Sequence, residues 1–319
     1  MGAALALGAR GRGRTAPNPC VGCVIVAGNV VVGRGWTQPG GRPHAEAVAL
    51  AEAGAAARGA TAYVTLEPCA APGRGPACAA LLIEAGIARV VVAADDPFPA
   101  VNGQGYARLR AAGIAVETGV RAGEAERAMA GFLTRQWLGR PLVTLKLATS
   151  LDGQIALGTG ESRWITGPEA RAHTHLERSR HEAILVGRGT YDADAPQLDV
   201  RMAGLEERRP RRLMLTRQAP PPGWEAVASP AAIAALDRVD HLLVEGGAGA
   251  AAAFVAAGLV DRLILYRAPI LIGAGRAALG DIGLGRLAEA HGRWRLIDAR
   301  ALGSDRLEVY EALEQAPGE

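Results

Sequence analysis

Aromatic side chains, lysine, cysteine and long apolar runs are all scarce in this chain. Phe, Trp and Tyr together make 4% of its 319 residues. A stretch of stacking rings interleaved with basic side chains is missing, so no nucleic-acid partner is expected. Of the 35 Lys and Arg residues one is a lysine, Lys146, and the basic side of the balance is an arginine bias. The formal net charge of +3 is too weak to argue for a polyanionic partner. Four cysteines do not make a disulfide scaffold in a chain this long, and they fit a reducing cytoplasm. No run approaches the ~20 apolar residues of a membrane span. Residues 1–14 are broken by Gly and Arg and hold no signal-peptide core, so no membrane partner is expected either. Hydrophobic residues, at 49%, suffice for a sizeable core, and the length suits roughly two domains.

What the chain does contain is a compact set of metal-binding side chains. Arg42-Pro43-His44-Ala45-Glu46 is followed by Leu66-Glu67-Pro68-Cys69 and then by Cys78. One imidazole and two thiolates fill three corners of a tetrahedral zinc site and leave the fourth for water. Zinc makes such a water a nucleophile near neutral pH. Glu46, too close in sequence to His44 to be an ordinary fourth ligand, suits carrying a proton from that water to a leaving amine. H-x-E followed by Pro-Cys and a second Cys is the zinc-deaminase pattern. The local context agrees. Residues 61–66 read as a buried strand, which puts Cys69 just past its C-terminal end. His44 opens an alanine-rich helical run over 44–57, and Cys78 opens a second apolar run stopped by Gly86. A thiolate at a helix N-terminus is favoured by the dipole and the free N–H groups. Cys20 and Cys23 also form a C-x-x-C, but it runs into the apolar segment 21–26, so both are expected in the core.

The first half alternates helix and strand. A short N-terminal helix ends at Pro17-Asn18-Pro19. Strands over 21–27 and 30–35 are joined by Gly28-Asn29, a hairpin dipeptide. Helix 44–57, strand 61–66, helix 78–85, strand 89–94, helix 103–112, strand 114–117 and helix 123–138 follow. This order predicts a largely parallel sheet covered on both faces, with the active site at the C-terminal ends of its strands. Gly139-Arg140-Pro141 marks the domain boundary.

The second half begins with a strand over 142–148 that turns at Leu151-Asp152-Gly153. Lys146 sits inside this apolar strand. A compact ammonium retained where every other basic residue is Arg hints at a needed point charge; a lysine snorkelling from a strand end is the bland alternative. A polar loop, 160–166, runs into helix 168–180, which carries Arg171, Arg178 and Arg180. Strand 182–187 leads to a loop crowded with Asp194, Asp199 and Arg201. Arg178 and Arg201 have the fork geometry to clamp a phosphate, or are simply solvated. Strand 240–245 runs into Gly246-Gly247-Ala248-Gly249 and helix 250–257. Such a turn brings backbone N–H groups close to a phosphate, although tight packing against a sheet explains it as well. Strands 262–266 and 306–312 close the second sheet.

Pro17-Asn18-Pro19, Pro43-His44-Ala45-Glu46 and Leu66-Glu67-Pro68-Cys69, with Cys78 after eight intervening residues, come first. Then follow Lys146 to Gly153, Glu161 to Thr166, and Glu245-Gly246-Gly247. In this order, over nearly the whole chain, they resemble the bifunctional deaminase/reductase family of riboflavin biosynthesis. The resemblance implies an α/β protein: a cytidine-deaminase-like three-layer α/β/α domain over 1–140, then a dihydrofolate-reductase-like α/β domain over 141–319. It implies zinc and NADPH as cofactors, a small phosphoribosylaminopyrimidine as substrate, and a homodimer. By position it makes His44, Cys69 and Cys78 the zinc ligands and Glu46 the acid/base. It assigns Ala148, Trp164, Thr166, Thr190, Asp194 and Gly247 to NADPH. Asn18, Arg74, Lys146, Ser162, Arg178, Leu198, Arg201 and Glu245 fall to the substrate.

The zinc loop departs from the family pattern. Ala71 stands where the family has a histidine, the loop's hydroxyls are gone, and Phe98 stands where an Asn is common. Arg74 is expected to take over the phosphate contact. Two other readings stay open here. One is a deaminase half altered in substrate, or inactive beside a working reductase. The other is a non-catalytic zinc- and nucleotide-binding regulator, against which Glu46 speaks.

Overall fold

At Gly28 the chain adopts φ 57°, a conformation glycine reaches without penalty. That turn folds β1 (Gly22–Ala27) back on β2 (Val30–Trp36) as an antiparallel hairpin. The computed structural model describes residues 1–73, 75–99 and 101–313. It divides into a unit Met1–Gly139 and a second unit beginning at Arg140.

The first unit is built from α1 (Gly2–Gly8), the hairpin, α2 (Ala45–Ala53), β3 (Thr61–Leu66), α3 (Cys78–Glu84) and β4 (Arg89–Ala94). After these come α4 (Gln104–Ala111), β5 (Ala115–Glu117), α5 (Ala122–Ala128) and α6 (Ala130–Leu138). Its five-stranded sheet has the order β2-β1-β3-β4-β5. The expectation of a largely parallel sheet is corrected here. β3–β4 and β4–β5 are parallel, but β1 pairs antiparallel with both β2 and β3. A two-residue turn can only return a strand antiparallel, so the hairpin dictated the β1–β2 pair, and β1 meets β3 antiparallel on its other side. Helix 123–138 is also corrected, to two helices broken at Met129 (φ −104°, ψ 14°). The alanine run ends as α-helix at Ala53, because Gly54 takes φ 52°. Ala45, Ala49 and Ala53, one turn apart, are the buried stripe of α2. With no larger side chain between, the helix sits against the backbone of β2. A Cβ on Gly35 would lie 2.1 Å from the Ala45 carbonyl, and one on Gly33 2.2 Å from that of Ala49. Cys20 and Cys23 are buried in the core with Ile25, Val64, Val92 and Leu82, as expected. Each such fully buried aliphatic side chain contributes roughly 1.5–3 kcal/mol.

The second unit comprises β6 (Leu142–Thr149), β7 (Gln154–Ala156), α7 (Pro168–Arg178), β8 (Ala183–Gly187), α8 (Arg188–Asp194), β9 (Arg211–Leu215) and β10 (Glu225–Val227). It continues with β11 (His241–Val244), α9 (Ala248–Ala256), β12 (Arg262–Arg267), β13 (Arg276–Ala277), β14 (Trp294–Leu302) and β15 (Asp305–Ala312). Eight strands form one sheet, β10-β9-β8-β11-β6-β12-β15-β14. It is parallel from β10 to β12 and antiparallel beyond. β8 and β11 are continuous apolar runs because a central parallel strand is covered on both faces. The start of β6 is tied down by Asp261, whose carboxylate receives two bonds from Arg140 (2.7 and 2.8 Å) and the Val143 N–H (2.7 Å). Its end is tied by Asp152, which accepts the N–H groups of Ile272 and Gly273. Parallel strands β6, β8 and β11 all finish on one edge, where the glycine turn and Glu245 lie.

Candidate functional site

In the first unit His44 is the N-cap of α2, Cys69 follows β3, and Cys78 is the first residue of α3. The His44 Nδ1 atom is 3.3 Å from Cys78 Sγ and 3.8 Å from Cys69 Sγ. All three ligand atoms lie within 4.8 Å of one another. A tetrahedral zinc with its usual bond lengths separates its nitrogen and sulfur ligands by roughly 3.5–3.8 Å, so the donor set fits the metal in kind and spacing. Cys69 Sγ accepts the Cys78 N–H (3.2 Å) at the start of α3, the position where a thiolate is favoured. A hydrogen bond from the Cys78 side chain, helped by His44, pulls the Cys69 thiol down to about 4. The same bond, with burial, pushes Cys78 up. Zinc binds thiolates, so the metal would displace any proton left on either sulfur.

Glu46 is buried in the first turn of α2 beside Cys78. Burial raises its carboxyl above the ordinary range, opposed by a backbone hydrogen bond and the nearby imidazole. Asn18 donates its amide to the Gly41 carbonyl (2.9 Å), and the same nitrogen is 3.0 Å from His44 Nε2. A cavity of about 170 Å³ opens beside Cys69, between Ala71, Asp96 and Val101. Ala71 leaves this wall without a hydrogen-bonding group. Phe98 is exposed, and its N–H donates to Asp96 (2.9 Å). Arg74 lies outside the described residues. One contributor that sequence reasoning gave no role is Glu67. Its buried carboxylate accepts the N–H groups of Gly103 (2.9 Å) and Gly105 (2.8 Å), which fixes the segment leading to Cys69. Its place between Leu66 and Pro68-Cys69 was the available signal.

In the second unit the parallel strands gather another cluster. Arg178, the last residue of α7, forms a bidentate pair with Glu245 just beyond β11 (2.7 and 2.8 Å). Lys146 Nζ on β6 is 3.9 Å from the same carboxylate. Burial alone would raise the Glu245 carboxyl. The Arg178 charge and hydrogen bonds, with Lys146 behind them, outweigh it and hold the group at about 2. Burial lowers the Lys146 ammonium, opposed by Glu245. Arg178 also donates to the Asp199 carbonyl (3.1 Å), and Arg201 pairs with the Asp199 carboxylate (3.0 Å). So Lys146, Arg178 and Glu245 are brought to one place, and Arg201 is linked to Arg178 through Asp199.

The residues matched to the dinucleotide fall around the same sheet edge. The Gly247 N–H donates to Thr190 Oγ1 (2.9 Å) at the start of α9. A Cβ on Gly246 would approach that of Ala250 to 2.7 Å. This bare turn at a helix N-terminus suits a phosphate. Trp164 is 68% exposed and stacked beneath Arg171, whose Cζ is 4.7 Å from the ring centre, and Arg171 also holds the Thr166 carbonyl (2.5 Å). Arg163 donates to the Asp194 carbonyl (3.1 Å). Ala148 is half-buried on β6, in register with Tyr266. Ser162 is half-buried in the loop before α7. Leu198 differs in kind: its side chain is buried against Ile184, Met214 and Trp224, at φ 53°. Its side chain belongs to the core, which leaves only its backbone to face outward from this loop.

Two family models match the chain: the cytidine and deoxycytidylate deaminase zinc-binding region over residues 1–94, and the RibD C-terminal domain over 141–307. The riboflavin biosynthesis protein RibD of Escherichia coli is 40% identical, covering 96% of this chain and 96% of that protein. RibD of Mycobacterium tuberculosis is 40% identical over 96% and 95%. Among solved structures, Acinetobacter baumannii RibD superposes with a TM-score of 0.87 at 36% identity, covering 98% of this chain and 97% of that one. The Thermotoga maritima diaminohydroxyphosphoribosylaminopyrimidine deaminase/5-amino-6-(5-phosphoribosylamino)uracil reductase gives 0.85 at 31% identity over 98% and 97%. With a zinc-binding deaminase domain followed by an NADPH-dependent reductase domain, the chain belongs to the RibD family of bifunctional deaminase/reductases of riboflavin biosynthesis.

Proposed function

We propose that residues 1–140 carry the deaminase centre and residues 141–319 the reductase centre, acting in that order on one phosphoribosylaminopyrimidine. The observation that carries the first assignment is the triangle of His44 Nδ1, Cys69 Sγ and Cys78 Sγ with a buried Glu46 beside it. His44, Cys69 and Cys78 would hold zinc, which when bound makes water a nucleophile near neutral pH. Glu46 takes a proton from the attacking water and passes it to the adjacent ring nitrogen, then carries the remaining hydroxyl proton to the amino group, so that ammonia leaves and a carbonyl remains. A carboxyl raised by burial is suited to work in both directions. Asn18, beside the His44 ring, would hold the pyrimidine, and Arg74 its phosphate.

In the second centre NADPH, when bound, supplies the hydride that opens the ribosyl group to ribityl. Thr190, Gly247, Trp164, Thr166, Asp194 and Ala148 would seat the dinucleotide around the α9 turn and the strand edge. Lys146, Arg178, Glu245, Ser162, Arg201 and the backbone at Leu198 would hold the substrate. The paired Glu245 accepts hydrogen bonds from a sugar or ring donor, and the arginines match its phosphate in charge and geometry. Among the described residues no helix is long and apolar enough to cross a membrane. The four cysteines are free thiols, which supports a place in a reducing cytoplasm, and the family likeness supports a homodimer.

Replacing Glu46 with Gln tests the deaminase assignment: turnover should fall about 10²–10⁴-fold while bound zinc stays stoichiometric. Unchanged turnover would remove Glu46 from the reaction, and no turnover even in the unaltered zinc-loaded chain would favour a regulator. Ala71 and Phe98 favour a second reading, a deaminase half tuned to another base. It predicts no ammonia release from the diaminopyrimidinone by the zinc-loaded chain.

A further inference from the structure

Lys146, the one lysine of the chain, is largely withdrawn from solvent. Its side chain is 17% exposed, and at 3.9 Å Glu245 is too far to orient it by a hydrogen bond. What lies against the ammonium is an aromatic face: Nζ is 5.7 Å from the ring centre of Tyr266. Tyr266 is fully buried on β12. It pairs in register with Ala148, two residues beyond Lys146 and so on the same face of β6. The Tyr266 hydroxyl meets His173 Nδ1 of α7 at 2.7 Å, and the two rings contact edge to face at 5.8 Å between centres. On its other side His173 Nε2 faces Arg300 of β14 (3.2 Å). The ring is therefore held from α7, the helix that also carries Arg178. A four-carbon ammonium stem is costly to immobilise, and a ring face is attractive to it when partly desolvated.

The geometry points to Tyr266 as a positioning residue of the reductase centre: its ring face holds the Lys146 ammonium beside Glu245. This rests on the reading of Lys146 as a substrate-binding group. Tyr266 acts through Lys146 and touches no substrate itself.

The single lysine makes the test direct. Zinc-loaded full-length protein prepared with isotope-labelled lysine gives one lysine side-chain signal in NMR. Its terminal methylene protons are expected upfield, in the shielding region of the Tyr266 ring. Tyr266→Phe should keep that shift and leave the reductase KM for the deaminated substrate within about twofold. Tyr266→Leu should move the signal to its ordinary position and raise that KM about tenfold, the effect of losing one cation–π contact. Its kcat should change less, and its deaminase turnover should stay as in the unaltered chain. A wild-type lysine signal at the ordinary position overturns the proposal without any variant. A Leu variant with wild-type KM overturns it too, as does a Phe variant as impaired as the Leu one. Failure of the unaltered chain to reduce the substrate with NADPH is a different result, which strikes the reading of the site itself.

Discussion

Glu46 and Glu245 are both buried carboxylates, and their surroundings push them in opposite directions. Burial dominates at Glu46 and raises it. At Glu245 the bidentate Arg178 and the nearby Lys146 overcome burial and hold it at about 2. The first environment favours the protonated carboxyl and the second the charged one. A carboxyl depressed from its ordinary 4.5 contributes stability that is complete above that pH and lost as pH falls towards about 2. Glu245→Gln should therefore flatten the acid limb of the reductase unit's stability between those values, as read by thermal melts at stepped pH. An identical limb in the variant would contradict the pairing. Arg178→Ala strands the Glu245 charge and should cost about 3 kcal/mol or more, together with a raised reductase KM. That His44, Cys69 and Cys78 gather at one point was legible in the sequence, because residue type and spacing define such a donor set. Glu67 was not, since its partners are backbone N–H groups of Gly103 and Gly105, more than thirty residues on. Leu198 was placed by likeness, but its side chain is in the core.

At the scale of elements, the position of the metal ligands depends on how closely α2 lies on β2. Gly33 and Gly35 leave no room for a methyl group against the carbonyls of Ala49 and Ala45. Gly35→Ala should push the N-terminus of α2 outwards and carry His44 and Glu46 with it. The expected outcome is a zinc affinity lowered about tenfold or more by competition with a chelator, and a loss of deaminase turnover of similar size. Reduction of supplied deaminated substrate should remain. Wild-type zinc affinity would show that the helix can shift without moving the ligands. The alternation of helix and strand was readable from the sequence, whereas the direction of pairing was not. The Gly28-Asn29 hairpin already required one antiparallel pair, but nothing local shows that β1 also pairs antiparallel with β3. The edge strand β14 escaped notice because its exposed residues interrupt any apolar pattern.

On the scale of the whole molecule, the chain joins two chemistries whose requirements differ. One needs a metal and a proton carrier, the other a dinucleotide and fixed charges. Removing zinc with a chelator should abolish deamination and leave NADPH-dependent reduction of the deaminated substrate intact. Loss of both together would mean that the metal supports more than the first centre. The central claim is that these centres act in sequence on one substrate. Mass-spectrometric analysis of products from the zinc-loaded chain, given the phosphoribosylamino diaminopyrimidinone with and without NADPH, tests it most directly. The account predicts exchange of the amino group for oxygen without NADPH, and a further gain of two hydrogens when NADPH is present. Neither product, or reduction preceding deamination, would contradict it.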